Sequence, residues 1–227
     1  MKLFNEKKTR YRNLLLVLIP FLLLGGFFGF TAYRSVKAMM TPEDEIENSP
    51  KFNIADYGYQ LRANATDLQY NYFQELIEEL QKEEVDDVAV AASVAKNFVA
   101  DFYTWSNKGG MYDVGGMCYV YSAGLANIYM YAKDSFYHYL NYYIDEYGSE
   151  NLPEVANVEI VEAQKADSKF GIDGVNHPCY FVRARWSYVE KEGGYDTSSF
   201  WTEQDIYVIK NVDSGRYEIV QMYEVNE

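Results

Sequence analysis

The sequence predicts an α+β domain, helices first and an antiparallel meander second, carried behind one N-terminal transmembrane helix. Three observations carry that reading. Residues 13–33, NLLLVLIPFLLLGGFFGFTAY, form an uncharged apolar run; apolar residues recur at helical spacing between about 64 and 148; and after Pro153 the period shifts to near two. At 227 residues the chain has room for one ordinary domain plus an anchor.

The apolar run reaches ~30 Å at ~1.5 Å per residue, enough to cross hydrocarbon. Pro20, Gly25, Gly26 and Gly29 do not demote it, because membrane helices tolerate such residues where packing satisfies the freed backbone groups. Gly25 and Gly29 have the small-xxx-small spacing that seats a second helix closely. Lys2, Lys7, Lys8, Arg10 and Arg12 precede the run and only Arg34 and Lys37 follow it before the acidic TPEDEIE, which places the N-terminus in the cytoplasm. A cleaved signal peptide is the competing reading; the long apolar core and the want of an Ala-x-Ala site weigh against it. The expected organisation is a cytoplasmic tail at 1–12, the span at 13–33, a linker at 34–53, a helical stalk at 54–84 and an extracytoplasmic α+β domain at 85–227.

The first forty residues hold seven of the 20 basic residues and one of the 34 acidic ones, leaving 13 against 33 and a charge of −20 beyond the anchor. Such a field repels nucleic acid and anionic headgroups, so neither is an expected partner of the domain; the membrane is engaged through 13–33. Cys118 and Cys179 both fall in the outer part, where one disulfide is permitted, and two unpaired buried thiols fit as well. With neither a CxxC pair nor a His/Cys cluster in the chain, neither metal nor cofactor is expected.

Between Thr41 and about Lys51 the chain is acidic and carries Pro42 and Pro50, a linker composition. Leu61, Leu68, Tyr72, Leu76 and Leu80 then predict a helix over 64–82, with Asn64-Ala65-Thr66 a sequon that has meaning only in a eukaryotic secretory route. The strongest helix follows: Asp86 or Asp87 as cap, an apolar face of Val90, Val94, Phe98 and Phe102, and a stop at Asn107 to Gly110. The segment 111–129 has two glycine breaks and many aromatics, too irregular for one long element. A third helix is expected over 132–148, with Phe136, Leu140, Tyr143 and Tyr147 on one side and Gly148 as stop.

Four strands are expected at 155–166, 179–189, 199–211 and 216–225, with loops between. Pairing the middle two about Gly194 makes facing positions sum to 388. Arg183 then meets Asp205 and Arg185 meets Glu203 on one face, while Val182 meets Ile206, Trp186 meets Thr202 and Tyr188 meets Phe200 on the other. A wet and a covered face from a single register mark these charges as a hairpin's exterior, since a slip of one residue would expose Trp186.

Helix, broken aromatic segment, helix and a closing meander resemble the nuclear transport factor 2-like superfamily, in which helices close one side of a bent sheet to make a cone. The resemblance covers about 86–227 and rests on element order and on the apolar patterns of VAKNFVADFYTW and CYFVRARWSYV. With a cytoplasmic tail and one span before it, the layout resembles the single-pass scaffold subunits of bacterial conjugation and type IV secretion machines, whose cone domain works through subunit contacts. That resemblance implies a non-enzymatic bacterial envelope protein that binds a protein partner or itself.

The residues leave two alternatives beside it. Enzymes of the superfamily move a proton with Asp, His or Tyr in the cone, which points to Asp101 with His138, the latter on the flank of the third helix; His177 is expected in an exposed loop. No Gly-x-Ser-x-Gly, Walker loop, HExxH or dinucleotide fingerprint is present in the chain. The 23 tyrosines, 13 phenylalanines and 3 tryptophans exceed what a core of this size needs, so some face outward and suit a partner, a small molecule or a glycan. Trp105, Tyr112, Tyr119, Tyr121 and His138 are the candidates for that surface.

Overall fold

The computed structural model describes residues 50–225. The expected cytoplasmic tail, the expected span at 13–33 with its Gly25/Gly29 spacing and nearly all of the expected linker lie outside the described residues. The described part is α+β, with helices packed on a curved antiparallel sheet.

In chain order, β1 (Pro50–Ile54) and β2 (Tyr59–Arg62) form a hairpin, followed by α1 (Asp67–Leu80) and α2 (Asp87–Phe102). A 3₁₀ turn (Met117–Tyr119) leads to α3 (Ser122–Asp134) and α4 (Leu140–Tyr147). The meander is β3 (Val155–Lys165), β6 (Cys179–Tyr188), β7 (Glu203–Lys210) and β8 (Tyr217–Glu224), and a small hairpin of β4 (Phe170–Ile172) and β5 (Val175–His177) sits between its first two strands.

The central element is α2. Asp86 accepts hydrogen bonds from the Val88 and Ala89 N–H groups, and the helix is apolar on most faces, burying Val90, Val94, Phe98 and Phe102 together with Ala91, Ala95 and Ala100. It packs on α1 on one side and on β3, β6, β7 and β8 on the other. Thr66 and Gln69 make a reciprocal capping box that starts α1, and Tyr72, Phe73 and Leu76 bury its inner face.

The hairpin of β6 and β7 has the 388 register. Arg183 faces Asp205, with Nε and Nη2 donating to the two carboxylate oxygens at 2.7 and 2.9 Å, and Arg185 faces Glu203. Val182, Ala184, Trp186, Ile206 and Val208 are buried on the opposite face, the Trp186 N–H donates to the Thr202 carbonyl at 2.8 Å, and the Tyr188 and Phe200 rings lie 5.9 Å apart. Register shifts in β3 and across β7–β8 bend the sheet around α2.

Four expectations are corrected. Residues 54–84 are not a free stalk: Tyr59 and Leu61 are buried, and the Tyr59 hydroxyl donates to the Tyr217 carbonyl at 2.6 Å and accepts from its N–H at 3.1 Å, which pins the hairpin to β8. The helix expected over 132–148 is two helices, α3 beginning inside the segment read as irregular. The break at 135–139 turns Tyr137 into the core, its hydroxyl donating to the Phe102 carbonyl at 2.5 Å.

His177 is buried, not exposed, its Nδ1 accepting from the Val212 N–H at 3.2 Å. The loop expected before β6 holds the β4–β5 hairpin, turned by Asp173 and Gly174 at φ 50° and 80°, an Asp-Gly pair suited to a tight two-residue turn. Cys118 and Cys179 are both free thiols; burial pushes the Cys118 thiol up to about 12, and its sulfur donates to the Gln60 carbonyl.

Candidate functional site

Two places gather polar or aromatic side chains. The first is a buried polar centre beneath the Gly115-Gly116 break. Asp101, near the end of α2, accepts from Lys108 Nζ at 2.8 Å through Oδ1 and from the Gly116 N–H at 2.6 Å through Oδ2. Gly116 sits at φ 76°, and a Cβ on Gly115 would lie 2.3 Å from the Asp101 carbonyl oxygen. Glycine at both positions is what lets the loop approach the helix this closely.

The Lys108 side chain is fully buried and that of Asp101 is 19 % exposed; Arg62 pairs with Asp113 beside them. Burial works against ionised Asp101, but the charges of Lys108 and Arg62 and the two hydrogen bonds outweigh it and hold the carboxyl below the ordinary aspartate value. Burial pulls the Lys108 ammonium below the usual lysine value, opposed by Asp101. Two cations and two carboxylates thus satisfy one another. A space of about 10 Å³ bounded by Arg62, Gln69, Asn97, Asp101 and Tyr119 is of the order that holds one water.

This centre is not the Asp–His pair expected of a proton-transfer site. Both Asp101 oxygens are occupied, while His138 lies exposed on the turn between α3 and α4 with its ring edge-on to Tyr139 at 4.5 Å.

The second place is an open groove of about 970 Å³. Its floor is Phe102, Tyr103 and Phe136, in ring contact with one another at 5.0 to 5.7 Å. One wall is α3, through Asn127, Ile128 and Tyr131; the opposite wall is β8 from Val220 to Glu224; the loop Ser199–Trp201 closes one end. Tyr131, Trp201 and Tyr223 on the rim are 78 %, 61 % and 52 % exposed, so large rings face water around an apolar floor. Burial raises the Tyr103 hydroxyl far above ordinary tyrosine, and that hydroxyl is hydrogen-bonded to Gln204 Oε1 at 3.0 Å. The lining holds no histidine, cysteine, lysine or arginine, and Glu224 is its one carboxylate. Such a wall binds apolar and hydrogen-bonding groups and offers no paired acid and base.

The five surface candidates are not brought together. Trp105 is buried among Phe136, Tyr143, Tyr195 and Phe200, and Tyr119 is buried with its ring stacked on Tyr59 at 5.3 Å. Tyr121 is half-buried at the start of α3, its N–H donating to the Ile219 carbonyl. Tyr112 is 70 % exposed, and its carbonyl accepts from the Tyr129 hydroxyl at 2.9 Å. Neither these four nor His138 line the groove. Tyr131, Trp201 and Tyr223, which do, are not among the sequence candidates; alternation from buried Tyr217 and Ile219 puts Tyr223 inward, and the register shift across β7–β8 turns it outward.

Among the described residues no group of three His, Cys, Asp or Glu side chains is placed to hold a metal ion, and no helix is long and apolar enough to cross a membrane. No family model, no curated protein and no solved structure matches this chain.

Proposed function

We propose that this chain is a non-enzymatic, membrane-anchored binding module: a span at 13–33 with the N-terminus in the cytoplasm, carrying an acidic nuclear transport factor 2-like domain outside. The groove between α3 and β8 takes a protein partner. One observation carries the reading: exposed Tyr131, Trp201 and Tyr223 surround an apolar aromatic floor that has no acid–base pair. Exposed aromatic anchors around an apolar floor are the composition of an interface core, with little rotamer entropy to lose on binding. A scaffold subunit of a conjugation or secretion apparatus is the concrete form, supported by the layout of tail, span and outer domain.

The test is co-purification of the full-length chain from mild detergent, with and without Tyr131→Ala plus Trp201→Ala. A partner retained by the parent chain is lost from the double variant while the thermal midpoint is unchanged, because both side chains are exposed. A monomer that retains no partner, or a partner indifferent to the substitutions, refutes the proposal.

A second reading, a small-molecule or glycan site, is favoured by the groove's volume of about 970 Å³, within the ~300–1,000 Å³ of sites that enclose small ligands. Native mass spectrometry of the extracted chain, showing a bound compound lost on Tyr131→Ala, would select it.

A further inference from the structure

We infer that the groove takes its partner as an added β-strand: an extended apolar segment with cationic flanks pairs its backbone with the outer edge of β8. The inference rests on the groove being the binding face and adds what kind of segment fills it.

The sheet order is β3-β6-β7-β8, so among the described residues β8 has a full strand on one side alone. Its outer edge is already used once. Val120 bridges Ile219 in parallel, and the Tyr121 N–H donates to the Ile219 carbonyl at 2.9 Å. At Tyr121 the chain leaves the sheet and turns into α3. Beyond Ile219, the residues from Val220 to Glu224 have no strand on their outer side among the described residues, and all five line the groove. The molecule thus begins a fifth strand, abandons it after one bridge, and leaves a trough where it would have continued. Five residues of strand span ~17 Å, and a paired strand lies ~4.8 Å away, so the trough follows a strand's path.

The opposite edge shows what a closed edge looks like. β3 carries two register shifts and the charged residues Glu159, Glu162 and Lys165. The Thr104 hydroxyl accepts from the Val155 N–H at 3.1 Å, and the Tyr72 hydroxyl from the Val158 N–H at 2.9 Å. These are the devices that stop an edge from recruiting another chain; β8 carries one of them, a register shift at Val220, and its pairing with β7 is regular from Gln221 to Glu224. Beyond Ile219, the wall facing β8 is instead Ile128 and Tyr131, apolar surface suited to the alternate side chains of an incoming strand.

Charge selects the occupant. The outer part carries −20, and Glu224 lies in the groove itself. A second copy of this domain brings the same field and is repelled, whereas a segment flanked by lysine or arginine is attracted.

The test uses the full-length chain in mild detergent and three end-blocked peptides of about seven residues, long enough to span the edge. One alternates valine and threonine between lysines, one is the same with its core amides N-methylated, and one has glutamates in place of the lysines. The lysine peptide is expected to slow hydrogen exchange of the amides in 220–224 by about ten-fold or more, and the N-methylated and glutamate peptides to bind about ten-fold more weakly. Binding that ignores N-methylation, or that leaves 220–224 unprotected, overturns strand addition while leaving the groove as a side-chain site. Failure of all three peptides up to millimolar concentration also overturns it, and partner retention then judges the module reading separately. Protection of 220–224 that appears with protein concentration alone makes a second copy the occupant and likewise overturns it.

Discussion

Asp101 shows how one carboxylate sets the structure around it. It ties the end of α2 to Lys108 and to the glycine break, and removing a single partner from a buried pair strands the other charge. Asp101→Asn is therefore expected to cost roughly 3–5 kcal/mol, read as a drop in the urea midpoint. Its pH signature is also determined. The folded pKa is lowered, so the stabilisation is complete above the unfolded aspartate value and is lost as pH falls through the folded value. The parent chain should lose stability across that acid window, and Asp101→Asn should show a flatter profile there. An unchanged profile would mean that Asp101 is not held ionised by its partners.

At the scale of elements, the β6–β7 hairpin and α3 stand at opposite extremes. The hairpin's stability resides in its covered face: Trp186 is buried with its ring stacked on Tyr103 at 4.2 Å, whereas Arg183 lies on the wet face. Trp186→Ala should destabilise by roughly 3–5 kcal/mol. Arg183→Ala should have a much smaller effect that shrinks further with added salt; thermal melts of both variants at two salt concentrations check this. By contrast, α3 buries only Ala132, with Leu125, Met130 and Tyr131 exposed. Its amides are expected to exchange orders of magnitude faster than those of α2, which buries ten residues. Equal protection in native-state exchange would show that α3 is held by more than its described contacts.

At the scale of the molecule, the proposed topology puts an outer part of −20, residues 41–227, beyond the bilayer. Protease added to intact cells should then remove residues 85–227 and spare the tail and span; a protected C-terminal half would reverse the orientation and with it the proposed function. Strand addition makes the same demand, since its partner would come from outside.

How much of this was legible follows from the range of the forces concerned. The α2 cap at Asp86, the four meander strands and the pairing of Arg183 with Asp205 and Arg185 with Glu203 are encoded by neighbours in sequence or across one turn. The α3–α4 break was not legible, because it depends on Tyr137 reaching the Phe102 carbonyl across the core. The same is true of the hairpin 50–62, whose two buried side chains, Tyr59 and Leu61, acquire meaning only against Tyr217, α1 and the 3₁₀ turn.

The sequence by itself determined the central helix α2, the four meander strands, the register of the β6–β7 hairpin and the strongly acidic charge, since composition, period and local charge pairing need no third partner. Tertiary structure alone decided which aromatics face water. Trp105 and Tyr119 went into the core and Tyr131, Trp201 and Tyr223 onto one groove, because an aromatic ring is buried or exposed according to what distant segments pack against it, and residue type carries no record of that.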